Sequence, residues 1–437
     1  MDSSNIKYQN YIKLLESELV VAMGCTEPIS LAYASAVAKD VLGTLPIKID
    51  AYVSSNIIKN VKSVVVPNTG GAKGIESAIA SGVILGDSKK KLEVLSNIDK
   101  DKLDEFIEYR NQTPIKVNKL DDGHIFDILI KMYSNEHESQ VRIQDSHTNI
   151  VSILFDGKEV DIKNKDLSCV NNEPTKKELD EFIKEISIEE IYDFATTCNI
   201  EDVKEILDRQ IKYNMAIAEE GLKNQYGANI GKVLLNSYPN DISIKARAYA
   251  SSASDARMNG CELPVVINSG SGNQGISASV PVVVWAKEIK ASKDKLYRAL
   301  LISNLSTIHI KTGIGRLSAY CGAVAAGCAA GAGISYLEDG CLKTICHTLV
   351  NALAITSGIV CDGAKASCAA KISSAVEAGI LGYRMYKMGN QFRSGDGIVK
   401  KGVENTIKNV GFLASIGMKE TDKEIIKIML DEENCNK

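Results

Sequence analysis

Leu317–Leu337 reads LSAYCGAVAAGCAAGAGISYL and carries no charge from end to end. How this stretch is buried decides the fold. Its length is that of a membrane span. Its content is not: Ala, Gly, Cys and Ser dominate, Phe and Trp are missing, and large aliphatics are few, so transfer into lipid gains little. Small side chains let helix backbones approach closely, and the expectation is a buried helix packed tightly among other helices. Thr344–Cys361 is a second uncharged run, but His347, Asn351 and several Thr and Ser interrupt it. No membrane association is expected.

Outward from these runs, the 437-residue chain is too long for one ordinary core and implies two or three lobes. Apolar residues at 45% and charged residues at 24% are the proportions of a globular protein. A net charge of -4, one Trp and seven Phe argue against nucleic acid as a partner, which requires a basic face and stacking platforms. Eleven cysteines, an odd number without a regular framework, together with a polar Met1–Asn10, suggest a cytoplasmic protein with reduced thiols.

Apolar spacing at Tyr11, Leu14, Leu15, Leu19 and Val20 predicts a helix over Tyr8–Ala22, and a second runs from Glu27 or Pro28 to Val41. Strands are expected at Ile47–Val53, Val61–Val66, Ile125–Met132, Glu138–Ile143, Thr148–Phe155 and Lys158–Ile162. Asp156-Gly157 turns the last pair, and helices are expected at Gly74–Leu85 and Leu103–Arg110. Polar Asn171–Lys177, with Pro174, reads as a linker. Amphipathic helices follow to Asn224, one opened by a Ser187/Glu190 capping box. Ala246–Met418 is helical apart from a strand at Pro264–Ile267. The class is α+β: a helical, small-residue-rich domain (residues 1–45 and 178–437) with an inserted α/β lobe (46–172).

Three cysteines stand in glycine- and alanine-rich frames: Gly24-Cys25-Thr26-Glu27-Pro28, Ala319-Tyr320-Cys321-Gly322-Ala323 and Gly358-Ile359-Val360-Cys361-Asp362-Gly363-Ala364-Lys365. Soft thiolates drawn from distant segments suggest a metal centre. Cys321/Cys328 and Cys361/Cys368 are each seven residues apart. On an unbroken helix that spacing means about 10.5 Å of axial rise, too far for both to reach one cluster. One ligand per pair is simpler, and Cys321 and Cys361 stand where helix starts would favour thiolate. Cys328, Cys341 and Cys346 read as core residues, and Cys169, Cys198, Cys261 and Cys435 lack a ligand-like context. There is no C-x-x-C. With Cys25 the set is three, which would leave one iron of a four-iron cluster open as a Lewis acid.

Two loops echo each other: Asn68-Thr69-Gly70 and Asn268-Ser269-Gly270, each between a β-branched run and a small-residue helix. Either could offer N–H groups and a hydroxyl to an anion, or simply cap a helix. Gly270-x-Gly272-x-x-Gly275 formally matches a dinucleotide fingerprint. Pro281 would break the helix that fingerprint needs, and Glu288 lies in a solvated stretch.

Together, Gly24–Pro28, Asn268–Gly275, Gly315–Gly322 and Cys361–Cys368 resemble the L-cysteine desulfidase family, which is related to the α-chain domain of iron–sulfur L-serine dehydratases. The likeness spans nearly the whole chain with its motifs in order. It implies a PLP-independent lyase whose [4Fe-4S] cluster is held by Cys25, Cys321 and Cys361, with Cys368 a competitor for the third position. The 1–45 and 178–437 segments would then form the catalytic domain. The small amino acid L-cysteine would be converted to pyruvate, ammonia and sulfide. Asn268, Ser269, Gly270, Ser271 and Asn273 would hold the substrate carboxylate, with Asn68, Thr69 and Gly70 as a second cradle. Lys311, in a charge-poor stretch, is the candidate base; Lys365, His347 and His147 rival it. Arg316 fixes a carboxylate or caps a helix. Broad small-residue surfaces suggest a homodimer. Rival readings are an L-serine dehydratase, a non-enzymatic iron–sulfur redox sensor, and a metal-free binding module built on the glycine-rich loops.

Overall fold

The structure, a computed structural model, describes residues 5–120, 124–160, 173–315 and 318–430. Arg316, Cys169 and Cys435 lie outside these residues. Helix α1 (Ile6–Glu18) buries Tyr8, Tyr11, Leu14 and Leu15. It ends earlier than its periodicity suggests, because the apolar residues after Leu19 form a strand, β1 (Val21–Met23). Helix α2 (Thr26–Leu42) follows, with Cys25 at its N-cap and Gly43 closing it at φ 77°. It is buried on nearly every side.

In the lobe, β2 (Lys48–Ser54), α3 (Ser55–Val61), α4 (Ile75–Ile84) and α5 (Leu103–Gln112) precede β3 (Ile115–Leu120), β4 (Asp127–Tyr133), β5 (Glu138–Gln144), β6 (Ile150–Phe155) and β7 (Lys158–Glu159). The sheet runs β3-β2-β4-β5-β6-β7, parallel only between β2 and β3. Ile128, Ile130, Met132, Val141 and Ile143 alternate inward beneath α2, while Leu129, Lys131, Gln140 and Arg142 between them stay partly exposed. Asp156 and Gly157, at φ 49° and 72°, turn β6 into β7 as expected. Val61–Val66 is not a strand. Its first residue ends α3, and Val64–Val66 form a buried loop, an ambiguity inherent in short apolar runs. The sequence reading leaves β3 unassigned.

The expected linker is helical over residues 173–177, which open α6 (Glu173–Glu185) with Pro174 in its first turn. Then come α7 (Ile188–Thr197), α8 (Glu201–Lys223), α9 (Ile230–Ser237), α10 (Ile242–Met258), β8 (Pro264–Val266), α11 (Gly272–Glu288) and α12 (Lys293–Ile314). The last are α13 (Gly322–Glu338), α14 (Leu342–Thr356), α15 (Cys368–Lys387), α16 (Val403–Phe412) and α17 (Lys419–Leu430). Ser187 caps α7, accepting from the Glu190 N–H at 3.2 Å. β8 pairs antiparallel with β1, joining the front of the chain to its helical part. Helix α11 runs through Pro281 rather than breaking there, held by packing along its whole buried length.

The glycine-rich run forms α13, which lies among α11, α12, α14 and α15. A Cβ at Gly331 would fall 2.5 Å from Gly379 Cα on α15, so the two backbones touch. At this crossing the small residues of α13 and α15 are used for contact within the chain. Among the described residues no helix is long and apolar enough to cross a membrane.

Candidate metal centre and substrate cavity

A cavity of about 100 Å³ lies where the starts of α2, α11 and α13 meet the loop before α15 and one end of the sheet. Cys25, Cys321, Cys361 and Cys368 all line it. Cys25 is the N-cap of α2 and Cys321 that of α13. Cys361 is not at a helix start. It lies in an extended segment bridged to the one before α13: the Cys361 N–H donates to Ala319 O at 2.6 Å, the Cys321 N–H to Ile359 O at 3.4 Å, and Tyr320 pairs with Val360. This bridge sets the two cysteines side by side, and their sulfurs are hydrogen-bonded to each other.

The spacing argument holds for Cys328. Helix α13 is unbroken, and the Cys328 sulfur lies 3.3 Å from Thr356 Oγ1, away from the cavity. It fails for Cys368, because residues 361–367 are not helical and the chain folds back. Cys368 opens α15, packs against Cys25, Val64 and Met258, and directs its thiol at Gly363 O, 3.6 Å away.

Charge around the thiols is mixed but mainly positive, from Lys59, Arg257 and Lys311 against Glu27. The Cys361 thiol is drawn down to about 5, first by the hydrogen bond from Cys321, with Lys59, the Gly363 N–H and Lys311 helping. Cys321 is pushed up by the same sharing and by burial. Burial and the Glu27 carboxylate push Cys25 up. Glu27 Oε2 accepts from Cys25 Sγ and Thr26 Oγ1, both at 3.1 Å, and Oε1 accepts from Asn60 at 3.0 Å. Burial works to raise the Glu27 carboxyl, but His147, the Cys25 hydrogen bond and Arg257 outweigh it and hold it low.

The Asn268–Ser271 turn forms one wall. Ser269 at φ 49° and Gly270 at φ 79° make it left-handed, and Asn268 and Ser271 exchange backbone hydrogen bonds at 3.1 and 3.0 Å. Ser269, Gly270, Ser271 and Asn273 reach the cavity. Asn268 does not: its amide, fully buried, donates to Asn304 Oδ1 at 3.0 Å and ties the turn to α12. The glycines of the apparent dinucleotide fingerprint have other work here. A Cβ at Gly272 would sit 2.2 Å from Arg257 Nε, and one at Gly275 would sit 2.1 Å from Val266 O. Arg257 Nε, Asn273 Oδ1 and Gln274 Oε1 are buried without hydrogen-bond partners, on residues at most 7% exposed. Such groups cost free energy unless a ligand satisfies them.

Asn68, Thr69 and Gly70 lie outside this cavity. Asn68 donates to Leu95 O at 2.6 Å and Thr69 to Val66 O at 2.7 Å. Their loop supports the Cys25 turn instead, since Pro67 packs where a Cβ at Gly24 would stand, 2.8 Å from its Cγ. Of the candidate bases, Lys311 (6% exposed) and His147 line the cavity. Lys365 pairs with Asp362 at 2.5 Å, and His347 stacks on Tyr386 with centroids 4.3 Å apart. His147 comes from the loop after β5. Ser30 of α2 donates to its carbonyl, and Phe126 meets its ring edge-on at 4.9 Å. The lobe thus supplies part of the wall. Arg257, Glu27, Lys59 and Gln274 escaped the sequence reading. Glu27 and Gln274 sit inside quoted motifs, whereas nothing local marks Arg257 or Lys59.

Among the described residues no three His, Cys, Asp or Glu side chains gather tightly enough to share a single ion. A polynuclear cluster asks for less, because each thiolate binds a different metal atom. Four thiols around a cationic, partly unsatisfied cavity fit an iron–sulfur cluster in the chemistry of their donors.

The cavity thus gathers four thiols and several buried polar groups without partners. The family model for the serine dehydratase alpha chain matches residues 89–427, and the chain belongs to that family. That family is lyase-like and generally associated with an iron–sulfur cluster. Over 432 residues the chain is 55% identical to a UPF0597 protein of Desulfitobacterium hafniense, covering 99% of each. It is 48% identical over 427 residues to a UPF0597 protein of Lachnoclostridium phytofermentans, covering 97% of this chain and 100% of that one. With a UPF0597 protein of Finegoldia magna it shares 45% over 425 residues, again 97% and 100%.

Proposed function

We propose that this chain is an iron–sulfur-dependent, PLP-independent lyase that eliminates sulfide from L-cysteine to give pyruvate and ammonia. One observation carries the reading: Cys25, Cys321 and Cys361, from the front and the back third of the sequence, line one cavity beside buried polar groups lacking partners. Those three cysteines would hold a [4Fe-4S] cluster, with Cys368 the fourth thiol in the wall. Bound there, the cluster would supply a Lewis acid for the leaving sulfur.

The chain's own groups do the rest. Arg257, Asn273 and the Ser269–Ser271 turn bind the substrate carboxylate, a charge-assisted contact that also satisfies the buried Arg257 Nε. The two titratable groups on opposite duties are His147 and Lys311. His147, on the cavity wall against Gly270 of the carboxylate-binding turn, is the proton acceptor. It takes the α-proton; that C–H pair becomes the Cα–Cβ double bond, and sulfur leaves Cβ as hydrosulfide. Lys311, in the same cavity wall as Cys361, returns a proton to the hydrosulfide. The aminoacrylate tautomerises, and water converts it to pyruvate and ammonia.

The test is anaerobic purification with iron and acid-labile sulfide counted in wild type and in Cys25→Ala, Cys321→Ala, Cys361→Ala and Cys368→Ala. Wild type should hold about four of each per chain, as a cubane requires, with the first three variants depleted and the fourth not. Loaded protein should release sulfide from L-cysteine. Pyruvate from L-serine without sulfide from L-cysteine would make it a hydroxy amino acid dehydratase. A full cluster with neither turnover would favour a redox sensor. Colourless wild-type protein without iron overturns the proposal.

A further inference from the structure

A second and larger cavity, of about 720 Å³, adjoins the first. It is bounded by the end of α1, the start of β1, the Lys90–Glu93 turn, α6 and Arg209 of α8. Ser146, His147 and Gly270 line both cavities, so the two share one thin partition. That partition is close: a Cβ at Gly270 would fall 3.0 Å from His147 Cε1. The inner space is about 100 Å³, whereas the outer one, at about 720 Å³, is of ordinary small-molecule size.

Charge in the outer cavity is balanced: Lys90, Lys91 and Arg209 against Glu18, Glu93 and Asp180. A site so composed suits a zwitterion rather than a simple anion or cation. Arg209 is the distinctive member. Its Nη2 donates to Leu19 O at 3.3 Å, which fixes the guanidinium, while its Nε is buried without a hydrogen-bond partner. A guanidinium fixed at one nitrogen and unsatisfied at another is arranged to accept a carboxylate.

We infer that the outer cavity is the antechamber through which an amino acid reaches the thiols, that Arg209 docks its carboxylate there, and that His147 and Gly270 form the doorway. This deepens the function proposed above and rests on it for the identity of the substrate. Glycine at position 270 keeps the doorway clear of a side chain opposite the imidazole. The same imidazole that takes the proton would thus meet the substrate as it passes.

The test uses the full chain stripped of metal by a chelator under anaerobic conditions, with mass spectrometry of Cys321 and Cys361 after alkylation. Two reagents of similar size are compared: iodoacetate, which carries a carboxylate, and neutral iodoacetamide. Arg209→Gln should lower the iodoacetate-to-iodoacetamide rate ratio about tenfold, the loss of one charge-assisted hydrogen bond. Arg393→Gln, on the exposed surface, should leave it unchanged. Ser17→Trp, at the exposed rim of the cavity, should slow both reagents severalfold. An unchanged ratio in Arg209→Gln, or unslowed labelling in Ser17→Trp, overturns the inference. Because no turnover is measured, a chain lacking lyase activity could still show the passage. An active lyase with an unchanged ratio would lose only the passage.

Discussion

Replacing Gly331 by alanine tests the packing on which the cavity depends. The new Cβ would stand 2.5 Å from Gly379 Cα and 2.6 Å from that residue's carbonyl carbon and oxygen. Ordinary contact begins at 3.4 Å, so α13 and α15 must part by 0.9 Å (3.4 minus 2.5). Overpacking costs about 1–3 kcal/mol, and backbone on the receiving side cannot rotate away, which selects about 3. Alanine's better helix propensity offsets about 1 kcal/mol of this, leaving a net loss of about 2. Urea denaturation of the full chain, followed by circular dichroism, should show that loss as a lower midpoint with an unchanged slope. Gly358→Ala is the control: no atom lies within 4 Å of its added Cβ, and its midpoint should stay within about 0.5 kcal/mol of wild type. Iron held by the thiols as proposed should also leave Gly331→Ala faster under a chelator, because α13 begins beside Cys321 and α15 begins at Cys368. A Gly331→Ala protein as stable as wild type, or a Gly358→Ala protein equally weakened, would refute the close-contact account.

Lys59 is 1% exposed and pairs with Asp422 of α17 at 2.5 Å. Lys59→Met should therefore cost about 3 kcal/mol by stranding a half-buried carboxylate, and Lys59→Met/Asp422→Leu should recover most of it in denaturant midpoints. Burial raises the Asp255 carboxyl to about 6, against the opposing Ile230 and Ala228 N–H groups. The folded state then holds its proton more tightly than the unfolded chain. Stability from this group is present below about pH 4 and is lost as pH rises toward 6. Asp255→Asn should flatten that decline in midpoints measured between those values, and an unchanged slope would refute the assignment. Arg257→Met should raise KM for the amino acid about a hundredfold, the value of a charge-assisted contact near 3 kcal/mol. A KM within a factor of about three of wild type would remove Arg257 from the carboxylate site.

The helical character of the back half was legible because small-residue runs without charge pack best as helices laid close against one another. The hairpin at Asp156-Gly157 and the cap at Ser187 were legible because turn chemistry is local. Val61–Val66 was not, since an apolar hexamer is buried equally well as strand or loop. Within the cavity, Cys25 and Cys321 announced themselves by their glycine frames. The place of Cys368 could not be read from spacing, because seven residues keep two side chains apart only on a helix, and residues 361–367 are not helical. Arg257 was hidden for a related reason. It ends a helix of Ala and Ser whose interest lies wholly in what it meets across space, the bare Cα of Gly272. Tertiary bridges of this kind leave no periodic trace.

The short pairing of Tyr320 with Val360 has a bearing on the order of events during synthesis. Two of the thiols become neighbours only after α13 and α14 have been laid against each other, and Cys25 must wait for both. A nascent chain still emerging from the ribosome has the first thiol but neither of its companions. A cluster held by these thiols would accordingly have to be delivered to an almost finished molecule.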